Sequence, residues 1–321
     1  SLHDALPICL VETINLKDNI EKIYRGLEIM SYYFHNTPHN FFEHIFQILS
    51  NINSYLTSED KKILEYVNNI MNSILNSLEQ EQSFEVIKVL NQSIEDVLRV
   101  GTKREIRYVN AFSIQDGLDP YINIMVKCLV FGPIDVFEQA LQTYEHILNH
   151  TKKEALQEYV LKLVGPLLRV SFYKYENELK ARIVGVLLSF ESKGLSLSVF
   201  LPQLQTTFIK MISDYIGEIS FLETVVRGLN YVIKNSKKRD YVLNELVNKY
   251  RTEETDEKKF AYLYCIYQVL KSNLTLFSKA VVEKAASRIE ETKDFALSDI
   301  KSKYFGRVLG LMISLETVNK Q

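Results

Sequence analysis

The chain has 321 residues, with 38 Lys and Arg against 40 Asp and Glu for a formal net charge of -2 at pH 7. That balance excludes a large basic field, so direct nucleic-acid binding is not expected, while 46% hydrophobic and 24% charged residues exclude a chain disordered by composition. Only 11 Gly and 6 Pro over this length argue against a sandwich or barrel of many short strands.

In chain order, residues 1–8 (SLHDALPI) read as a translated sequencing-library adapter without an initiator Met, and are set aside from fold reasoning. From residue 9 to about 318 apolar residues recur at three- and four-residue spacing, the period of helices that bury one face. Breakers at Asn36-Thr37-Pro38, Gly101, Gly117, Gly132-Pro133, Gly194 and Asn235-Ser236 divide that pattern. It predicts helix pairs at 17–35/38–56, 58–80/83–101, 118–131/133–150, 153–170/175–192, 196–213/217–235, 238–251/255–273 and 276–292/294–315. Ser58-Glu59-Asp60 and Thr255-Asp256-Glu257 are helix starts, with capping oxygens and acidic groups at the positive end of the dipole.

Most first helices begin about 40 residues after the last, close to the ~40–47 residue period of HEAT and armadillo repeats. One pair cannot bury its apolar face alone, whereas stacked pairs share a continuous core. The expectation is an all-α, HEAT/armadillo-type α-solenoid of about seven helix pairs, a single array over 9–318 that is a fragment open at both ends. A polar stretch near 102–117 is expected to form a long loop between repeats.

Chemistry-bearing residues are sparse. Cys9, Cys128 and Cys265 lie far apart without a CxxC pair, as in reduced intracellular proteins. No apolar run reaches the ~20 residues of a membrane helix, so no membrane partner is expected. His35, His39 and His44 are interrupted by Pro38, and His146 and His150 lack a convincing third ligand, so neither set is expected to hold a metal. No phosphate-binding loop or nucleophile elbow occurs. The chain is read as a binding scaffold, not an enzyme, with no cofactor. Tyrosine is abundant at 19 residues, and Tyr32-Tyr33-Phe34 and Tyr262, Tyr264 and Tyr267 are expected mainly in the core.

One region carries a longer signal. Val164-Gly165-Pro166-Leu167-Leu168-Arg169-Val170 is followed by Lys180-Ala181-Arg182, then by Phe200-Leu201-Pro202-Gln203-Leu204-Gln205-Thr206-Thr207-Phe208, Lys210 and Asp214. These strings resemble the C-terminal HEAT region of the general-control translational activator family, which reads GPLIR, then KAA, then PFLPQLQ-TF-K-L-D. Glu105-Ile106-Arg107 to Gly117 resembles that family's polar loop, and Gly132–Ala140 its following turn and helix.

The resemblance implies a cytoplasmic scaffold whose partner is the RWD domain of the starvation-responsive initiation-factor-2 alpha kinase. It also implies a ribosome reached through upstream segments that this chain lacks. A generic HEAT scaffold, or a transport-receptor-like interaction protein, is the alternative. Where the family follows LIR with Gly-Asp-Arg-Phe, this chain has Ser171-Phe172-Tyr173-Lys174.

On residue chemistry, Leu201, Leu204 and Phe208 share one helix face, and Gln203 and Lys210 the other. Arg169 either closes its own helix or anchors a partner carboxylate. The expected protein-binding set is Arg169, Lys174, Lys180, Arg182, Gln203, Gln205 and Lys210.

Overall fold

In the computed structural model, the described residues are 9, 12, 19–36, 44–53, 55, 58, 60–100, 119–173 and 175–292; the side chains of 46, 50, 53, 68, 92–100, 119, 120 and 150 fall outside that description. The adapter-like residues 1–8, the expected loop at 102–117, His39 and the second helix of the last pair lie outside it as well. Among the described residues there is no strand.

The helices are α1 (Ile20–Asn36), α2 (Ile45–Asn53), α3 (Lys61–Ser77), α4 (Gln80–Val100), α5 (Asp119–Phe131), α6 (Ile134–His150) and α7 (Lys153–Gln157). They continue as α8 (Val160–Val170), α9 (Asn177–Ser192), α10 (Leu201–Ile212), α11 (Ile219–Asn235), α12 (Arg239–Thr252), α13 (Asp256–Asn273) and α14 (Lys279–Glu290).

Local chemistry sets the boundaries. Asp60 caps α3 by accepting from the amides of Lys62 and Ile63, and Thr255 caps α13 by accepting from Lys258. Ser278 caps α14 through the Val281 amide in the same way. Gly194, at φ 75°, ends α9: its left-handed backbone lets the Leu195 amide reach Phe190 and its own amide reach Glu191. The expected helix 153–170 is interrupted. Tyr159 bonds back to the Leu156 carbonyl, an i to i+3 closure that ends α7 before α8 begins. Likewise 198–200 is a 3-10 turn, and the α-helical ladder starts at Leu201 with Pro202 in its first turn, where a missing amide costs least.

The chain divides into two compact units, residues 1–166 and 167–321, with the division inside α8. In the first, α1 packs on α3 and α3 on α5, while α2 packs on α4 and α4 on α6. In the second, α10 packs on α12 and α12 on α14, while α9 packs on α11 and α11 on α13. First helices stack on first helices and second on second, which is how an α-solenoid buries the one apolar face that each hairpin leaves open.

The cores are built from the apolar faces of the helices. Leu27, Met30, Ile70, Met71, Phe137 and Tyr144 fill the first unit; Phe190, Phe208, Leu229, Val232, Leu246 and Tyr262 fill the second. Two buried tyrosine hydroxyls find backbone partners: Tyr144 donates to the Leu163 carbonyl at 2.9 Å and Tyr262 to that of Ile209 at 3.3 Å. Of the aromatic clusters, Phe34, Tyr262 and Tyr264 are core residues, whereas Tyr32 is exposed.

Candidate functional site

The family-like strings converge on the second unit, at the end of α8 and along α10. Leu204, Phe208, Ile209, Met211 and Ile212 point into the core, so within the FLPQLQ string Leu204 alone is buried and the residues after the string do most of the packing of α10. Gln205, half-buried, donates to Glu245 on α12 at 2.8 Å and ties two first-layer helices together. Gln203 and Lys210 remain exposed.

Lys180 is drawn inward. Only 6% of it is exposed, and its ammonium meets Asp214, the acidic end of the string, at 2.6 Å. Two positions of the resemblance thus answer each other inside the protein, and Lys180 does not join the outer face. Arg182 is half-buried and engaged with its surroundings. Lys174 lies outside the described residues.

Arg169 stands in the last turn of α8 and is exposed. A cation there ordinarily serves the open carbonyls of the helix end. Here the following turn serves them. The Leu167 carbonyl accepts from the Ser171 amide, Leu168 from the Ser171 hydroxyl, Arg169 from Phe172 and Val170 from Tyr173. Among the described residues the Arg169 guanidinium makes no hydrogen bond or ion pair, so its rigid fork of donors faces outward uncommitted.

The turn that departs from the family supplies Arg169 with neighbours that sequence reasoning missed. Phe172 is 45% exposed, and the Lys210 ammonium lies 4.5 Å from its ring centroid. Tyr173, also exposed, tilts against Tyr175 with ring centroids 6.0 Å apart. The result is a cationic and aromatic surface made by Arg169, Phe172, Tyr173 and Lys210. It suits docking of a partner's carboxylates and apolar surface. No signal in the spacing marked Phe172, because its exposure is set by a turn.

Of the histidines singled out in the sequence, His35 is exposed on α1 and His146 half-buried on α6, whereas His39 and the His150 side chain lie outside the described residues. Among the described residues no group of three His, Cys, Asp or Glu is placed to hold a metal ion, and no helix is long and apolar enough to cross a membrane.

No protein-family model matches the chain. Three curated relatives align with most of it. The eIF-2-alpha kinase activator GCN1 of Dictyostelium discoideum is 28% identical over 225 residues, 69% of this chain and 8% of its own length. The activator of the same name from Saccharomyces cerevisiae is 26% identical over 254 residues, 79% of this chain and 9% of its own. The human stalled ribosome sensor GCN1 is 23% identical over 228 residues, 70% of this chain and 8% of its own. The chain therefore spans less than a tenth of the length of these relatives. The chain is thus an α-helical repeat segment whose sequence is similar to part of these GCN1 proteins.

Proposed function

We propose that this chain is a protein-binding segment of a translational activator, and that the face around Arg169 engages the RWD domain of the initiation-factor-2 alpha kinase. The observation that carries the reading is the uncommitted Arg169 guanidinium, exposed beside Phe172 and Lys210 at a helix end whose carbonyls are already satisfied. Arginine and aromatic side chains are the residues that dominate interface energetics. The names of the relatives, a kinase activator and a stalled ribosome sensor, support a cytoplasmic place near translating ribosomes.

Titration calorimetry of the chain with the RWD domain of the kinase from the same organism tests this. Binding is expected at micromolar dissociation constants. Arg169→Ala should weaken it at least tenfold, about 1.4 kcal/mol, and Phe172→Ala should weaken it in the same direction. A folded chain that does not bind the domain returns the protein to the alternative of a general interaction scaffold. Binding indifferent to Arg169→Ala moves the contact to another face.

A further inference from the structure

A second surface of the same unit has the opposite character. The turns that lead into α9, α11 and α13 border a groove of about 1080 Å³. Its lining includes Glu176, Glu178, Glu218 and Glu257, all exposed. Asp214 and Lys180 also line it but neutralise each other, which leaves four carboxylates against the single ammonium of Lys258. Ile216, on the same lining, is 73% exposed.

Acidic residues at helix starts are ordinary, because they favour the dipole. Two observations go beyond that explanation. Neither Glu176 at the start of α9 nor Glu218 at the start of α11 turns its carboxylate back to cap the helix, so both leave their negative charge to the groove. In addition Asn177, only 8% exposed and lining the groove, holds its Nδ2 donor buried with no acceptor. A buried donor without a partner carries its full desolvation penalty until an acceptor arrives.

We infer that this groove binds a basic, extended peptide segment of a partner protein. A backbone carbonyl of that segment accepts from Asn177 Nδ2, its Lys or Arg side chains pair with Glu176, Glu178, Glu218 and Glu257, and their aliphatic stems lie on Ile216. An extended cationic peptide is the ligand class that brings acceptors to the floor and cations to the rim at once. An acidic ligand is repelled by the rim, and a lone metal ion makes no use of an amide donor.

The test is fluorescence anisotropy of the whole chain with a labelled, end-blocked (Lys-Ala)4 peptide at low and high salt, and with (Glu-Ala)4 as its counterpart. Saturable binding of (Lys-Ala)4 alone is expected, weakening steeply with salt. The paired change Glu178→Lys and Glu218→Lys should weaken it at least tenfold, and Asn177→Ala about fivefold. The pair Glu81→Lys and Glu138→Lys, exposed in the other unit, should leave it unchanged. No saturable binding, equal loss from the Glu81 and Glu138 pair, or indifference to a folded Asn177→Ala overturns the inference. If Asn177→Ala does not fold, the Glu178 and Glu218 pair decides by itself, because both positions are exposed.

Discussion

Lys180 and Asp214 show how one residue can mislead when read alone. In sequence Lys180 belongs with Arg169 and Arg182 as a surface cation; in the fold its four-carbon stem is buried and its charge meets a carboxylate at 2.6 Å. A buried ammonium is tolerated only with such a partner, since taking the charge from water costs several kcal/mol. The Asp214 carboxylate keeps partial contact with solvent, which softens the penalty of losing it. Asp214→Ala is therefore expected to destabilise the chain by about 1–2 kcal/mol, measured as a lowered urea midpoint. Adding Lys180→Met should recover most of the loss, because the apolar side chain leaves no orphaned charge. A double variant as unstable as the single one would show the pair to be incidental.

At the scale of elements, the close approach of α10 to α11 rests on a missing side chain. A Cβ added at Gly228 would lie 2.7–2.8 Å from the Phe208 ring, closer than packed carbon atoms allow. Both residues are core, so neither helix can yield without shifting its neighbours in the stack. Gly228→Ala gains helix propensity worth up to ~1 kcal/mol, yet over-packing should outweigh it and leave a net loss of about 1–2 kcal/mol. Thermal unfolding followed by circular dichroism reads the sign directly. An unchanged or raised midpoint would mean that Phe208 swings aside freely. On the same helix pair, Val225, Leu229, Val232 and Ile233 recur at helical spacing and form the buried face of α11.

For the whole molecule, the buried thiols report on the two units separately. Cys128 belongs to the first and Cys265 to the second, and both are fully enclosed; burial pushes the Cys128 thiol up to about 12 and that of Cys265 up as well. Thiolate, the reactive form, is therefore scarce at neutral pH in the folded state. Iodoacetamide at pH 8 should modify only the exposed Cys9 in native protein, and all three residues in denaturant. In a stack of hairpins, stability is close to a sum over neighbours, so Gly228→Ala should hasten labelling of Cys265 and leave that of Cys128 unchanged. Equal acceleration of both would mean that the units unfold as one.

Helix content and most helix boundaries were legible in the sequence because each depends on residues a few positions apart, whereas the break at Tyr159 and the 3-10 turn at 198–200 were not. The caps at Asp60 and Thr255 and the terminator at Gly194 are contacts within a single turn. The family resemblance was legible for the same reason, since contiguous strings such as FLPQLQ carry it. Tertiary structure alone decided which residues of those strings reach solvent. Whether Lys180 turns in to Asp214 and Lys210 turns out over Phe172 depends on how α8, α9 and α10 lie against one another, which helical period does not encode. The acidic groove is a further product of stacking: Glu178, Glu218 and Glu257 are some 40 residues apart in sequence and line one surface only because the repeat returns each helix start to the same edge.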